Sequence, residues 1–302
     1  MKPTLRQLQY LVAIAETGRF GDAAKKVHVS QPSLSAQIAD MEAQLGTQLV
    51  ERGRAGSILT PAGEDVLHRA RVVLKDMDDL KAAARHYSGE MAGRVRLGVL
   101  PSIGPYLLPM AAKRLHAKFP ALKLSVREED RQALFEKIND GRFDVILTVS
   151  GEQDGLVTRP ILTEQLYACL APDAELAKTS TPLAASDLKD ATLLTLGRDF
   201  MLSQTVHDLA RATGAHISDE YEGNSLDALR QMAAMGAGIA VVPSLYAASE
   251  TRHGDGVIVR RIEGSAMQRE VQLVWRITSP LGPVFSEMAD ILSEEAHHLV
   301  DA

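Results

Sequence analysis

The chain has 302 residues, of which 45% are hydrophobic and 24% charged, a composition typical of a soluble globular protein with about two domains. Its single cysteine, Cys169, excludes an intrachain disulfide and fits a reducing compartment. No apolar stretch approaches the roughly 18 residues of a membrane span, and the apolar run at 10–15 is too short for a signal peptide. We therefore expect a cytoplasmic protein without a membrane partner.

The net charge of −6 is unevenly distributed along the chain. Residues 1–60 contain seven Lys or Arg against five Asp or Glu, so this segment carries +2 and the remainder carries −8. A mildly basic N-terminal segment on an otherwise acidic chain is typical of a protein that contacts phosphate groups only through that segment.

The first sixty residues show the apolar periodicity of three short helices followed by a hairpin. The first helix ends at Gly18, the second covers about 20–27, and the third opens at Ser30 and ends at Gly46. Ser30 is a good N-cap, and the proline two positions later is tolerated in a first helical turn. Residues 49–60 contain scattered apolar side chains, two Gly and two Arg, and are predicted to form the hairpin.

The stretch 23–38 fits a helix-turn-helix, in which the second helix enters the major groove of DNA. Its apolar residues supply a core, which leaves four polar side chains pointing outward: Gln31, Ser33, Ser35 and Gln37. Glutamine can pair with adenine at two atoms, and serine can serve bases or phosphate. Arg52 and Arg54 lie on the predicted wing, where they could reach phosphates or the minor groove. From this pattern alone, a small helical bundle with a polar face remains the alternative.

A long helix is predicted from Pro61 to about Ser88, roughly 40 Å at about 1.5 Å per residue. Apolar side chains recur along it at the spacing of a coiled-coil stripe: Val66, Ala70, Val73, Met77, Leu80 and Ala84. Because such a helix cannot bury its stripe alone, we expect it to pair with its copy in a second chain. The alternative is packing against its own effector domain.

From Gly93 onward the pattern changes to alternating strands and helices, and a β-α-β-α-β order occurs twice before a final strand and helix return. The predicted fold class is therefore α/β, with an N-terminal winged helix-turn-helix, a long linker helix and a two-lobed C-terminal domain. The expected boundaries are 1–60 for DNA binding, 61–90 for the linker and 91–302 for the effector domain, with lobe I at about 91–162 and 268–302 and lobe II at about 163–267.

The cleft between two such lobes is the expected ligand site, because strand C-termini and helix N-termini meet there. Ser102 and Ser225 can hydrogen-bond a carboxylate or hydroxyl, and an Arg at 131 suits bidentate capture of an anion. We predict a small anionic effector held by Ser102, Arg131 and Arg198. The full predicted set is Ser102, Ile103, Arg131, Arg198, Met201 and Ser225. The alternative is that both arginines pair with Asp130 and Asp199 and do not touch the ligand.

The segment "FGDAAKKVHVSQPSLSAQIADMEAQLGTQLVERGRAGSILTPAGEDVL" resembles the DNA-binding domain of LysR-type transcriptional regulators. "LGVLPSIGPYLLP" and "SLDALRQMAAMGAGIAVVPSL" further resemble the peroxide-sensing OxyR branch. The resemblance implies a periplasmic-binding-protein-like effector domain and linker helices that pair in antiparallel fashion, in a tetramer built as a dimer of dimers. It also implies that promoter DNA and RNA polymerase are partners and that an effector changes the DNA bend. The implied DNA contacts are Gln31, Pro32, Ser33, Ser35, Gln37, Arg52 and Arg54.

The resemblance to the OxyR branch breaks at its redox chemistry. That branch uses a reactive and a resolving cysteine, and the aligned positions here are Met201 and Ala210, which cannot form a disulfide. Cys169 lies in the apolar strand "LYACLAP", which favours a buried structural cysteine. The alternative function is an oxidative-stress response through Cys169, by sulfenic acid or a bond to another molecule.

No catalytic motif and no metal-ligand spacing occurs in the sequence, so we expect no enzyme, cofactor or metal. A transport-type solute-binding protein would share the two-lobed domain, but the helical N-terminus and missing export signal argue against it. An enzyme with Ser102 or Cys169 as nucleophile would need a base, and no histidine falls in a predicted cleft loop.

Overall fold

The computed structural model describes residues 3–301, except 54–55, 88–92, 152, 179–180, 199, 222, 251–255 and 265–266. The chain divides into two compact units, Met1–Glu90 with Glu136–Arg142, and Met91–Phe135 with Phe143–Ala302. Within the described residues, no helix is both long and apolar enough to cross a bilayer.

The first unit is a winged helix-turn-helix followed by a long helix. Its elements are α1 (Leu5–Thr17), α2 (Phe20–Lys26), α3 (Gln31–Leu45), β1 (Val50–Gly53), β2 (Gly56–Leu59) and α4 (Pro61–Tyr87). Local chemistry sets the helix bounds: the Thr4 side chain accepts from the Gln7 amide, and Ser30 Oγ accepts from the Ser33 amide at 3.3 Å. Gly18 and Gly46 end α1 and α3 with φ values of 67° and 69°, a conformation that glycine adopts without steric cost.

A small apolar core joins the three short helices to the base of the hairpin. Its most deeply buried members are at most 1% exposed: Leu11, Ile14, Ala23, Leu34, Ile38, Met41 and Leu49. Removing each large side chain from water contributes roughly 1.5–3 kcal/mol to folding. The core therefore fixes the direction of α3.

The predicted coiled-coil stripe of α4 is divided between two environments. Ala70 is 2% exposed and, with Leu67, belongs to the core described above. Val73 and Leu80, farther along the helix, are 43% and 64% exposed. The Ala84 side chain lies outside the described residues. Part of the stripe thus packs on the short N-terminal helices of its own chain, a partner that the periodicity did not reveal.

In the part of the chain that the structure describes, the second unit is built on one nine-stranded sheet. Its elements are β3 (Gly93–Val99), α5 (Gly104–Lys118), β4 (Leu122–Glu128), α6 (Arg131–Asn139), β5 (Val145–Val149), β6 (Leu156–Leu170), β7 (Thr192–Leu194), α7 (Met201–Thr213), β8 (His216–Ile217), α8 (Leu226–Ala234), β9 (Ile239–Pro243), α9 (Ser244–Glu250), β10 (Ile258–Arg261), β11 (Gln268–Arg276) and α10 (Gly282–Asp301). The last residues of α6 fall in the first unit.

The strand order confirms the α/β class and the two similar β-α-β-α-β halves. The order is β4-β3-β5-β11-β6-β9-β7-β8, with β10 also paired to β6. Strands β4, β3 and β5 run parallel, as do β9, β7 and β8, and the long antiparallel pair β11 and β6 joins the two groups. The sequence predicted neither the first part of β6 nor α9 and β10.

Candidate functional site

The first two turns of α3 present an exposed polar face. Gln31, Pro32, Ser33 and Gln37 are exposed, whereas Leu34 and Ile38 between them are at most 1% exposed. Ser35 is half-buried and already has an interaction partner. Four of the five predicted positions on this helix therefore project from the surface together.

Two partly buried polar contacts hold α3 in place, and sequence reasoning missed both. Gln7 of α1 is 1% exposed, and its Nε2 donates to the Gln37 carbonyl at 3.3 Å and to Asp40 Oδ2 at 3.0 Å. Glu42 Oε1 accepts from the amides of Leu49 and Val50 at 2.8 and 3.0 Å. The first contact fixes α3 against α1, and the second joins its C-terminal part to the hairpin.

The hairpin occupies the predicted position of the wing. Strand β1 pairs antiparallel with β2, and Arg52 stands opposite Ser57 in this register. The Arg52 side chain and the whole of Arg54 lie outside the described residues.

A cavity of about 560 Å³ opens within the second unit, beside the C-terminal ends of β3 and β4 and the N-terminal ends of α5, α7 and α8. Its wall includes four predicted residues, Ser102, Arg131, Met201 and Ser225. Ile103 is not on the wall because its side chain is fully buried in the core. Arg198 is exposed on a turn and is also absent from the wall.

Arg131 is held by neutral groups. Its Nη2 donates to the Ser150 carbonyl at 2.9 Å, and its guanidinium carbon lies 5.0 Å from the centroid of the Phe135 ring. Asp130 instead caps α6, because its Oδ1 accepts from the Ala133 amide at 2.9 Å. In the described part of the chain, Arg131 forms no ion pair with Asp130, so that part of the alternative is not observed. Asp199 lies outside the described residues, so the alternative pairing of Arg198 with Asp199 is not tested.

Two further cavity residues come from segments that carried no local signal. Tyr106 packs edge-on against Tyr246, with ring centroids 5.1 Å apart, and Arg269 reaches the wall from β11. Behind the wall, Tyr246 Oη donates to Asp227 Oδ1 at 2.9 Å. Burial first, and then this hydrogen bond, raise the pKa of the Tyr246 phenol above its ordinary value, so Tyr246 stays neutral.

Cys169 lies inside the sheet, opposite Ala240 of β9 and Val259 of β10, and it is 0% exposed. Burial raises the pKa of its thiol to about 12, and the positive charge of Arg230 opposes only part of this shift. The reactive form of cysteine is the thiolate, so this environment supports the structural interpretation of Cys169.

We expect Cys169 to resist alkylation in the native protein. Because its folded pKa lies above the ordinary value of 9.0, the thiol keeps its proton up to about pH 12, whereas the unfolded chain ionises above about pH 9. The free energy of unfolding therefore falls as pH rises from about 9 to 12, because the thiol ionises in the unfolded chain but not in the folded one. The check is iodoacetamide labelling followed by mass spectrometry, with urea-unfolded protein as the positive control. Equal labelling rates for the native and unfolded chains at pH 8 would contradict the assignment.

Comparison with known proteins defines the class to which this fold and these sites belong. Residues 5–64 match the model "Bacterial regulatory helix-turn-helix protein, lysR family", and residues 88–297 match "LysR substrate binding domain". The chain belongs to the LysR family and is a LysR-type DNA-binding transcriptional regulator.

Within this family, the chain is similar to OxyR-like proteins. It is 34% identical over 96% of its length to the hydrogen peroxide-inducible genes activator of Dickeya chrysanthemi, covering 95% of that protein. It is 33% identical to the transcriptional regulator EstR of Acinetobacter baylyi, with 96% of each chain covered. A solved full-length OxyR variant from Pseudomonas aeruginosa matches with 27% identity and a TM-score of 0.80, covering 98% of this chain and 95% of that one.

The fold also matches CbnR, a LysR family regulator solved in complex with its target DNA. That match has 23% identity and a TM-score of 0.67, and it covers 96% of this chain and 99% of CbnR. The family assignment and the OxyR-like branch predicted from the sequence are thus confirmed, and the single cysteine agrees with the predicted lack of a redox pair.

Proposed function

We propose that this regulator binds promoter DNA through α3 and the wing, self-associates through α4, and responds to a small anionic effector in the cavity. In this proposal residues 1–60 bind DNA, 61–90 link and dimerise, and 91–302 sense the effector. The observation that carries the proposal is the exposed polar face of α3, held rigidly by Gln7 and Glu42.

The proposed base contacts are made by Gln31, Pro32, Ser33, Ser35 and Gln37, with Arg52 and Arg54 on phosphates or in the minor groove. A helix whose N-terminal turns carry exposed glutamine and serine side chains can present hydrogen-bonding groups to base edges in the major groove. Activity on the chromosome places the protein in the cytoplasm, and RNA polymerase is its expected partner there.

Self-association is supported by the exposed half of the α4 stripe. Val73 and Leu80 remain in water in the isolated chain although they continue the apolar spacing of the helix. Pairing two α4 helices would bury them, as coiled-coil packing requires. A dimer of dimers is the proposed assembly.

The effector proposal is supported by the composition of the cavity wall. Its volume lies within the roughly 300–1,000 Å³ of small-molecule sites, and Ser102, Arg131 and Ser225 place polar groups beside apolar side chains on the wall. Met201 stands on this wall, so it can contact a ligand without redox chemistry. Ile103 and Arg198 do not line the cavity, so their contact with the effector remains a prediction.

Footprinting of the gene's upstream region tests the DNA-binding function. We expect protection of one defined segment, with an affinity that falls steeply as salt rises, because phosphate contacts release counterions. A solute-binding protein or an enzyme would protect no defined segment. Uniform weak protection along the whole probe would contradict sequence-specific binding.

A further inference from the structure

Arg269 is a cavity residue with unused hydrogen-bonding capacity. Its side chain is 13% exposed and belongs to the cavity wall. Two of its three nitrogens are engaged: Nε donates to Glu164 Oε2 at 2.6 Å, and Nη1 donates to Ser102 Oγ at 3.1 Å. The third, Nη2, is buried and has no hydrogen-bond partner within the described part of the chain. A buried, unpaired guanidinium nitrogen is costly, and a ligand oxygen would satisfy it.

Glu164 fixes the direction of this guanidinium. The Glu164 carboxylate is 0% exposed and stands opposite Arg269 in the register of β6 and β11. Its second oxygen, Oε1, accepts from the Leu245 amide at 3.0 Å, at the start of α9. Because both carboxylate oxygens are engaged, Arg269 cannot swing away without leaving a buried charge unpaired.

Ser102 completes the polar group. Its Oγ accepts from Arg269, so its own proton is available to donate to a third group. The Ser102 hydroxyl and the Arg269 guanidinium can therefore both donate hydrogen bonds to a ligand from neighbouring positions on the cavity wall.

We infer that Arg269 and Ser102 together bind the carboxylate of a small monoanionic effector, with Glu164 as the positioning residue for Arg269. This inference rests on the proposed function, and it identifies the two side chains that recognise the negative charge of the effector. Sequence reasoning assigned this role to Arg131 and Arg198 and did not include Arg269.

The carboxylates around the cavity favour a ligand with a single negative charge. Arg131 and Arg269 bring positive charge to the wall, and the buried Glu164 already pairs with Arg269. Glu128, Glu129 and Asp130 also line the cavity and would repel a second negative charge. Apolar side chains cover much of the remaining wall, including Leu100, Pro105, Phe200 and Leu226. A carboxylate on an apolar body fits this surface better than phosphate.

The test is isothermal titration of the full chain with benzoate and hexanoate, using benzamide, hexanamide and inorganic phosphate as matched probes. We expect the carboxylates to bind, and the amides and phosphate to bind at least about tenfold more weakly. The variants Arg269→Gln and Ser102→Ala should each raise the carboxylate Kd, by about tenfold or more for Arg269→Gln. Arg261→Gln removes an equal charge from an exposed position outside the cavity and should leave Kd unchanged.

Arg269→Lys and Ser102→Ala keep the test decisive if Arg269→Gln fails to fold. Lysine retains the charge beside Glu164 but lacks the forked donors, and Ser102→Ala leaves the ion pair intact. Wild-type Kd in both variants would overturn the inference, as would a wild-type chain that binds none of the carboxylates. In either case the footprint is an independent result, so failure of this inference is distinguishable from failure of DNA binding.

Discussion

Replacing Gln31, Ser33 and Gln37 together with alanine is expected to lower affinity for the target promoter by at least about a hundredfold. Each good base contact discriminates by about 1–3 kcal/mol, and three are removed at once. Binding to unrelated DNA should change little, because phosphate contacts supply that affinity. The measurement is a pair of titrations, one on promoter DNA and one on a scrambled sequence, at one fixed salt concentration.

The triple variant should fold normally. All three side chains are exposed, and the N-cap bond at Ser30 goes to the backbone amide of Ser33, which alanine retains. The matched control is Gln44→Ala with Thr47→Ala, which removes two exposed polar side chains at and just beyond the C-terminal end of α3. A folded triple variant that still distinguishes promoter from scrambled DNA would refute the role assigned to α3.

Glu164→Ala is expected to reduce the stability of the second unit by about 3–5 kcal/mol. The substitution removes one partner of a buried ion pair, leaves the Arg269 charge uncompensated, and frees the Leu245 amide. Trp275, the only tryptophan of the chain, reports the transition because it lies in β11, 5% exposed, with its ring centroid 5.8 Å from that of Phe285. Urea unfolding followed by tryptophan fluorescence gives the free energy of unfolding of this unit.

Two variants separate the ion pair from a general loss of charge. Glu263→Ala removes an exposed carboxylate 4.0 Å from Arg261 and should change stability by less than about 1 kcal/mol. The double variant Glu164→Leu with Arg269→Leu removes both buried charges and should recover much of the loss. If Glu164→Ala unfolds at the wild-type urea concentration, the pair does not hold this unit together.

Most local elements of this protein, though not α9, β10 or the first part of β6, follow directly from its sequence. Ser30 and Gly46 mark the ends of α3 because caps are satisfied within a few residues, and the 3.6-residue period separates its buried Leu34 from its exposed Gln31 and Gln37. The repeated β-α-β-α-β order likewise predicts two similar halves, and the strand order confirms it. The predicted cavity residues Ser102 and Ser225 share a wall because both stand at helix N-termini, Ser102 just before α5 and Ser225 as the N-cap of α8.

The long-range pairings were decided only by the tertiary structure. Glu164 and Arg269 are 105 residues apart and meet because β6 and β11 run antiparallel with a specific register, which no local pattern encodes. Likewise, β9 and β10 pair with β6 on either side of Cys169 and bury its thiol, which disfavours the reactive thiolate. Side-chain type predicted which groups could bind an anion, but the position of each arginine depends on which strands become neighbours. Strand neighbours are chosen by the packing of the whole core, so Arg269 reaches the cavity wall and Arg198 does not.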